Sequence, residues 1–323
     1  MVHIVLTNFR QVKKSSKRVR EDKIVMLIDD IVVFCDKKYT TYGDKCGCGT
    51  CNHPSGKCTG GCYNCLYQIH FPKNETIQKL EYDCPKMLYR YVCQFSTRYA
   101  SEILYALREK EAFLSAFDNF NIMSIGCGGC ADLMAFEQFY NDYGLTQKID
   151  YRGYDINRLW IPIHNRVSKY CDEHGITKKF MAEDAIDYFQ KYYNSTTNII
   201  VISYLISYLY NTAHKNDILN FFDLIIENVI LRNDAKKLII FNDVNSCYRG
   251  RDYFPKFIEK LKKNGLHSSL NYLYFDSDKL NKYQKNGDPY QSNLPLFRIN
   301  ENIKRKYHID DYCRSAQLIV EVK

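Results

Sequence analysis

The stretch Asn121 to Tyr140, NIMSIGCGGCADLMAFEQFY, constrains this chain most. It opens with an apolar run that reads as a buried strand. It then breaks into a turn with glycines at 126, 128 and 129, and resumes as an apolar-periodic helix from Asp132. Glycine lets a backbone turn sharply and approach a ligand where a side chain would collide, and the first NH groups of the following helix have no partners inside it. Such a turn is also an ordinary tight connection, so its meaning depends on the chain downstream.

Downstream the alternation is regular. IDYRGYDI reads as a strand ending at Asp155, RLWIPIHNRVSKYCDEHG as a helix, and KKFMAEDAI as a short strand before Asp184. NIIVISYLISYLY follows as a buried strand running into a loop and helix, FFDLIIENVIL as a helix, KKLIIFNDV as a fifth strand, and LNYLYFD and SAQLIVEVK as a sixth and seventh. Strand–helix alternation of this kind predicts a parallel sheet with helices on both faces. In such a sheet ligands sit beyond the carboxyl ends of the strands, and an acid at the end of the second strand takes ribose hydroxyls. Asp155 occupies that place. Asp184, at the end of the third, is placed to accept a hydrogen bond from an adenine amine. Together with the glycine turn they describe an adenosine pocket and not a pyrophosphate site, because the full dinucleotide fingerprint and a P-loop lysine are both missing.

At these residues the sequence resembles the class I S-adenosylmethionine-dependent methyltransferases, over about residues 85 to 323. SIGCGGCADL is similar to their first motif, YRGYDIN to their second, MAEDAI to their third and VISYLISYL to the end of their fourth strand. The resemblance implies a doubly wound, mostly parallel seven-stranded α/β sheet with its last strand inserted antiparallel. It implies S-adenosylmethionine as cofactor, with Gly126 and Gly128 under the methionine, Asp155 on the ribose, Asp184 on the adenine and Ser203 at the end of the fourth strand. Two positions depart from the pattern: Ser124 stands where an acid often precedes the first glycine by two residues, and Cys130 stands at the third glycine position.

Before this domain the chain changes character. Residues 1–82 are expected to form a small β-rich N-terminal zinc-binding module: VHIVLTNF, a basic tip with Lys13, Lys14, Lys17, Arg18 and Arg20, then KIVMLI and IVVFC as strands separated by Asp29 and Asp30. CGCGTCNHPSGKCTGGCYNC excludes regular structure, and its thiols at Cys46, Cys48, Cys51, Cys58, Cys62 and Cys65, with His53 and His70 nearby, supply what tetrahedral zinc needs. Cys48-x-x-Cys51 and Cys62-x-x-Cys65 are the chelating pairs. Cys46 or Cys58 can substitute, or six thiolates can share two ions. A fully thiolate-ligated ion has no open position for substrate, which makes the metal structural. Cys58-x-x-x-Cys62-x-x-Cys65 also matches the spacing by which radical S-adenosylmethionine enzymes hold an iron–sulfur cluster, but the chain continues as a helical stretch and not as the long βα barrel of that family.

Residues 83–323 form the expected Rossmann-like domain. Residues 83–120 are a helical prelude with Met87, Leu88, Tyr91, Val92 and Phe95 on one face, serving as core packing or as a lid. Cys84 and Cys93 are expected as small buried hydrophobes, and residues 276–314 as an insertion before the last strand. Fourteen cysteines without a secretion signal argue for reduced thiols and a soluble, cytoplasmic protein, and no apolar run is long enough to span a bilayer. The acceptor is less defined. The fourth-strand segment lacks the Asn-Pro-Pro-Tyr pattern, and no catalytic side chain stands out; Tyr204, His214 and Asp243 lie where strand ends approach the methyl group. The net charge of +8, the basic tip and the metal module favour RNA or another nucleic acid, with Lys304, Arg305 and Lys306 as further phosphate contacts. A small-molecule or protein acceptor is the alternative. A second is a non-catalytic assembly factor, because the Ser-Tyr-Leu segment also faintly resembles the methyltransferase-like ribosome assembly factors of mitochondria.

Overall fold

The computed structural model describes residues 25–43, 62–70, 81–212, 216–245, 250–275 and 287–322. Among these the chain runs α1 (Leu27–Thr41), α2 (Tyr63–His70), α3 (Pro85–Glu109), α4 (Glu111–Leu114), β1 (Asn119–Ile125), α5 (Ala131–Tyr143), β2 (Lys148–Tyr154), α6 (Ile161–Glu173) and β3 (Thr177–Met181). It continues with α7 (Ala185–Lys191), β4 (Ile199–Ser203), α8 (Leu205–Asn211), α9 (Ile218–Asn228), β5 (Lys237–Val244), α10 (Phe254–Lys263), β6 (Ser268–Tyr274), β7 (Asp288–Pro289), α11 (Glu301–Tyr307) and β8 (Ser315–Val322).

The strands form one sheet in the order β3-β2-β1-β4-β5-β8-β6-β7. β1 pairs parallel with both β2 and β4, so the order reverses at β1 and opens a crevice at its carboxyl end. β8 lies antiparallel between β5 and β6, with Asn242 opposite Gln317 and Leu273 opposite Gln317 on its two sides. This is the class I methyltransferase-like arrangement expected from the sequence. Among the described residues the expected seven strands become eight: the two-residue β7 joins the edge beside β6.

The central strands are apolar throughout because helices cover both faces. β4 and β5 are buried along nearly their whole length. One face packs under α1, α3, α5 and α6 through Ile31, Val92, Leu104, Leu133, Phe136 and Val167; the other packs under α7 to α10 through Phe189, Ile206, Phe222, Ile225 and Phe257.

The N-terminal reading needs a second correction. IVVFC and residues 25–28 of KIVMLI do not form strands; residues 27–41 are helix α1. Leu27, Ile28, Ile31, Val32 and Cys35 are its buried residues, a three- and four-residue spacing that two short strands broken at Asp29 would not give. α1 joins the main core. The Leu27 backbone NH donates to Glu137 Oε2 of α5 at 2.8 Å, and Arg166 Nε of α6 donates to Asp30 at 2.7 Å. The strand expected at VHIVLTNF and the basic tip from Lys13 to Arg20 lie outside the described residues.

α3 departs from a one-faced helix. Met87, Leu88, Val92 and Phe95 are buried as expected, but so are Arg90, Arg98, Ser101 and Glu102. The helix runs between α1, α5 and α2 and brings charged side chains into the interior above the sheet. Among the described residues no helix is long and apolar enough to cross a membrane.

Candidate functional site

The turn after β1 is held from below by β2. Gly126 N and Cys127 N both donate to Tyr154 O, at 2.8 and 3.1 Å. Gly126 and Gly128 have φ of +69° and +46°, a region that favours glycine. The turn is also tightly covered. A Cβ on Gly129 would lie 2.8 Å from Val92 Cγ2 of α3, and one on Gly126 would lie 3.2 Å from Leu205 Cδ1 of α8. Backbone alone fits there.

Asp155 follows β2 and reaches the turn. Its Oδ2 accepts from Gly128 N at 2.9 Å, its Oδ1 accepts from Asn157 N at 2.9 Å, and its own NH bonds to Met181 O of β3. Burial pushes this carboxyl above the usual range, while the NH groups of Asn157 and Gly128 and the nearby His164 pull it back. Asp184 caps α7, its Oδ1 accepting from Ile186 N at 2.7 Å and Asp187 N at 3.3 Å. Gly126, Gly128, Asp155 and Asp184 therefore gather at the carboxyl ends of β1, β2 and β3, where the sequence puts them.

Ser203 ends β4, and its Oγ accepts from Asn242 Nδ2 at 3.2 Å. The next residue, Tyr204, has φ of +55°, a left-handed backbone that a bulky side chain seldom adopts. That strain stands at the end of the fourth strand, beside the switch point, and its surroundings over-determine it. The Tyr204 hydroxyl donates to Glu102 Oε2 at 2.8 Å, its ring lies 4.1 Å from that of Tyr99, and its NH bonds to Asn242 O. Glu102 is fully buried. It also accepts from Asn242 Nδ2 at 3.1 Å and from Arg314 N at 3.1 Å, and Arg98 beside it pairs with Asp310. Burial first, and Glu102 next, push the Tyr204 phenol well above its ordinary value. Glu102 has no local signal: an acid within a helical run reads as a surface residue, and only the packing of α3 over the sheet turns it inward.

Asp243 of β5 is buried and bonds to the first turn of α8. Its Oδ2 accepts from Ser207 N at 3.1 Å and its Oδ1 from Val244 N at 2.7 Å. Burial raises its carboxyl to about 6 against these donors. His214 lies outside the described residues.

Of the six expected thiol ligands, Cys46, Cys48, Cys51 and Cys58 lie outside the described residues. Cys62, at φ +54°, directly precedes α2, and Cys65 lies in its first turn. Cys84, just before α3, is buried as expected, but its neighbour is a thiol: a Cys62–Cys84 hydrogen bond, burial and the nearby Cys65 all raise the Cys62 thiol. Cys93 is buried with its thiol toward Val32 O at 3.7 Å. His70 bonds to the Tyr82 hydroxyl at 2.9 Å and packs 4.9 Å from the Phe95 ring. Burial, with Arg98 and Arg314, lowers it to about 3. Lys304 pairs with Asp311 and Lys306 with Asp36 at 2.6 Å, so both cations have partners within the chain.

No family model and no curated protein matches the chain. Solved structures similar to it include the plantazolicin methyltransferase BpumL in complex with SAH, at 12% identity and TM-score 0.41, covering 90% of this chain and 99% of that one. A provisionally assigned class I S-adenosylmethionine-dependent methyltransferase from Listeria monocytogenes is similar at 13% identity and TM-score 0.48, covering 91% and 87%. An rRNA methylase from Streptococcus thermophilus is similar at 12% identity and TM-score 0.36, covering 67% and 96%. None of the three reaches a TM-score of 0.5, and the class of fold stands on the strand order.

Proposed function

We propose that the chain is an S-adenosylmethionine-dependent methyltransferase with its cofactor across the carboxyl ends of β1, β2 and β3. The observation that carries this reading is the placement of the Asp155 carboxylate against Gly128 N, in a turn where Gly126 and Gly129 leave little room for a Cβ. When bound, the cofactor supplies an electrophilic methyl on a sulfonium. The chain's own residues bind and orient: Gly126 and Gly128 let the backbone pass beneath the methionine, Asp155 takes the ribose, and Asp184 the adenine. Ser203, at the end of β4, borders the cofactor, and Tyr204 stands where the acceptor enters. The Tyr204 phenol, held by Glu102 and raised above its ordinary value, positions an acceptor and does not take a proton at neutral pH. Methyl transfer to an already nucleophilic atom requires alignment more than a base.

The acceptor we infer is RNA, supported by the net charge of +8 and the basic N-terminal residues. The Cys-rich segment is read as a zinc module. Thiols from Cys46, Cys48, Cys51, Cys58, Cys62 and Cys65 are its donors, and Cys84 joins them through its contact with Cys62. Elemental analysis tests the metal. Zinc is expected, and iron with absorption near about 400 nm would favour a cluster instead. Transfer of a tritiated methyl from S-adenosylmethionine into RNA, protein and small-molecule fractions tests the acceptor. Label in RNA is expected; label in another fraction moves the acceptor there, and no label from a chain that binds the cofactor favours the assembly-factor reading.

A further inference from the structure

At the glycine turn, Cys127 and Cys130 meet His164 of α6. The sequence Cys127-Gly128-Gly129-Cys130 brings both thiols to the start of α5, and their sulfurs and a His164 nitrogen all lie within 4.8 Å of one another. All three residues are buried, at 7%, 0% and 8% exposure. Tetrahedral bonds of about 2.3 Å to sulfur and about 2.0 to 2.1 Å to imidazole nitrogen set their donor atoms about 3.6 Å apart. Cys127 Sγ and His164 Nε2 are 3.7 Å apart. His164 is oriented by stacking on Phe180 at 4.3 Å and 10°, and Cys127 is pressed close to β2, where a Cβ on Gly153 would lie 2.8 Å from its sulfur.

Two further observations point to a cation. Cys130 holds a left-handed backbone, φ +61°, at a position that favours glycine, so its sulfur is present at a conformational cost. Asp132, 4% exposed, places a buried carboxyl near both thiols, its Oδ1 accepting from Tyr151 OH at 3.0 Å and the carboxyl also bonding to Ser124, so a second acidic group faces the same pocket.

We propose that Cys127, Cys130 and His164 form a buried site for a soft divalent cation such as Zn2+, which ties the turn to α6. Two thiolates and a neutral imidazole balance the ion's charge. Binding releases the two thiol protons to solvent, and His164 Nε2, which otherwise bonds to Gly128 O at 2.9 Å, gives its lone pair to the metal with its proton on Nδ1. Three protein ligands leave a fourth position for a small ligand. The site is separate from the N-terminal thiols, and it stands whether or not the chain transfers methyl groups.

The test counts metal on the full chain, stripped by chelator under anaerobic reducing conditions and titrated with Co2+. A Cys127→Ala/Cys130→Gly variant keeps the turn geometry, because glycine accepts the left-handed position. It is expected to bind one equivalent fewer than wild type, whatever the N-terminal cysteines hold. His164→Gln should weaken that equivalent about tenfold or more. A chain with Cys46, Cys48, Cys51, Cys58, Cys62 and Cys65 all changed to Ser should still bind one equivalent with thiolate-to-cobalt absorption; this arm decides the matter if the double variant does not fold. Unchanged stoichiometry in the double variant, no cobalt bound by the six-serine chain, or wild type whose two turn cysteines stay joined as a disulfide would each overturn the site.

Discussion

Replacing Asp243 with Asn should change how stability depends on pH, and the size follows from its surroundings. The carboxyl is 1% exposed and is raised to about 6 by burial, against donors from Ser207, Val244 and Ile206. An unfolded aspartate titrates near about 4. The folded value is the higher one, so the native state holds the proton more tightly. That contribution is fully present below about pH 4 and is lost as pH rises through about 6, a loss of about 3 kcal/mol for a change of this size. Asparagine does not titrate, and it offers one oxygen where aspartate uses two, so it costs about 1 to 3 kcal/mol at every pH. The variant should therefore be the less stable near pH 4, with the gap closing by about pH 7. Urea unfolding followed by the fluorescence of Trp160, the only tryptophan and 4% exposed, measures both proteins across this range. Subtracting one curve from the other removes the other buried carboxyls, since they are common to both. A gap that stays constant with pH would refute the argument that Asp243 is held by burial against its charge.

Gly153→Ala places a Cβ 2.8 Å from Cys127 Sγ and 2.9 Å from Phe180 Cδ1, and should lower stability by about 1 to 3 kcal/mol, read as a drop in thermal midpoint. Tyr204→Phe removes a donor from buried Glu102 and should cost about 1 to 3 kcal/mol in a melt while leaving cofactor Kd within about twofold. Reversing Lys13, Lys14, Lys17, Arg18 and Arg20 should weaken RNA binding and flatten its salt dependence, by about 0.7 in log–log slope for each lost single-strand phosphate contact. Binding that is insensitive to salt from the outset would move the acceptor to a metabolite or protein.

The sheet was legible because its signal is local: uninterrupted apolar strands, periodic helices and acids at strand ends place β1 to β5, Asp155 and Asp184 without knowledge of packing. The antiparallel final strand was legible through the resemblance. α1 was misread because IVVFC is rich in β-branched residues and Asp29-Asp30 mimics a turn; its burial at Ile28, Ile31, Val32 and Cys35 depends on α3 and α6, which no local window contains. Glu102 was hidden for the same reason, as was the thiol beside Cys84. Cys127 and Cys130 were in view as a Cys-x-x-Cys, but read only as a departure from glycine at position 130. Their partner His164 is distant in sequence and comes near only through the β2–α6 crossover.

The central claim is the adenosine pocket, and isothermal titration of the full chain with S-adenosylmethionine and its demethylated product tests it most directly. Wild type should bind both. Asp155→Ala, which removes the acceptor now satisfied by Gly128 N and Asn157 N, should weaken both by about tenfold or more, the worth of a hydrogen bond to a charged group. Equal affinity in wild type and variant, or no binding to either at saturating cofactor, would contradict the assignment of Gly126, Gly128, Asp155 and Asp184 to that pocket.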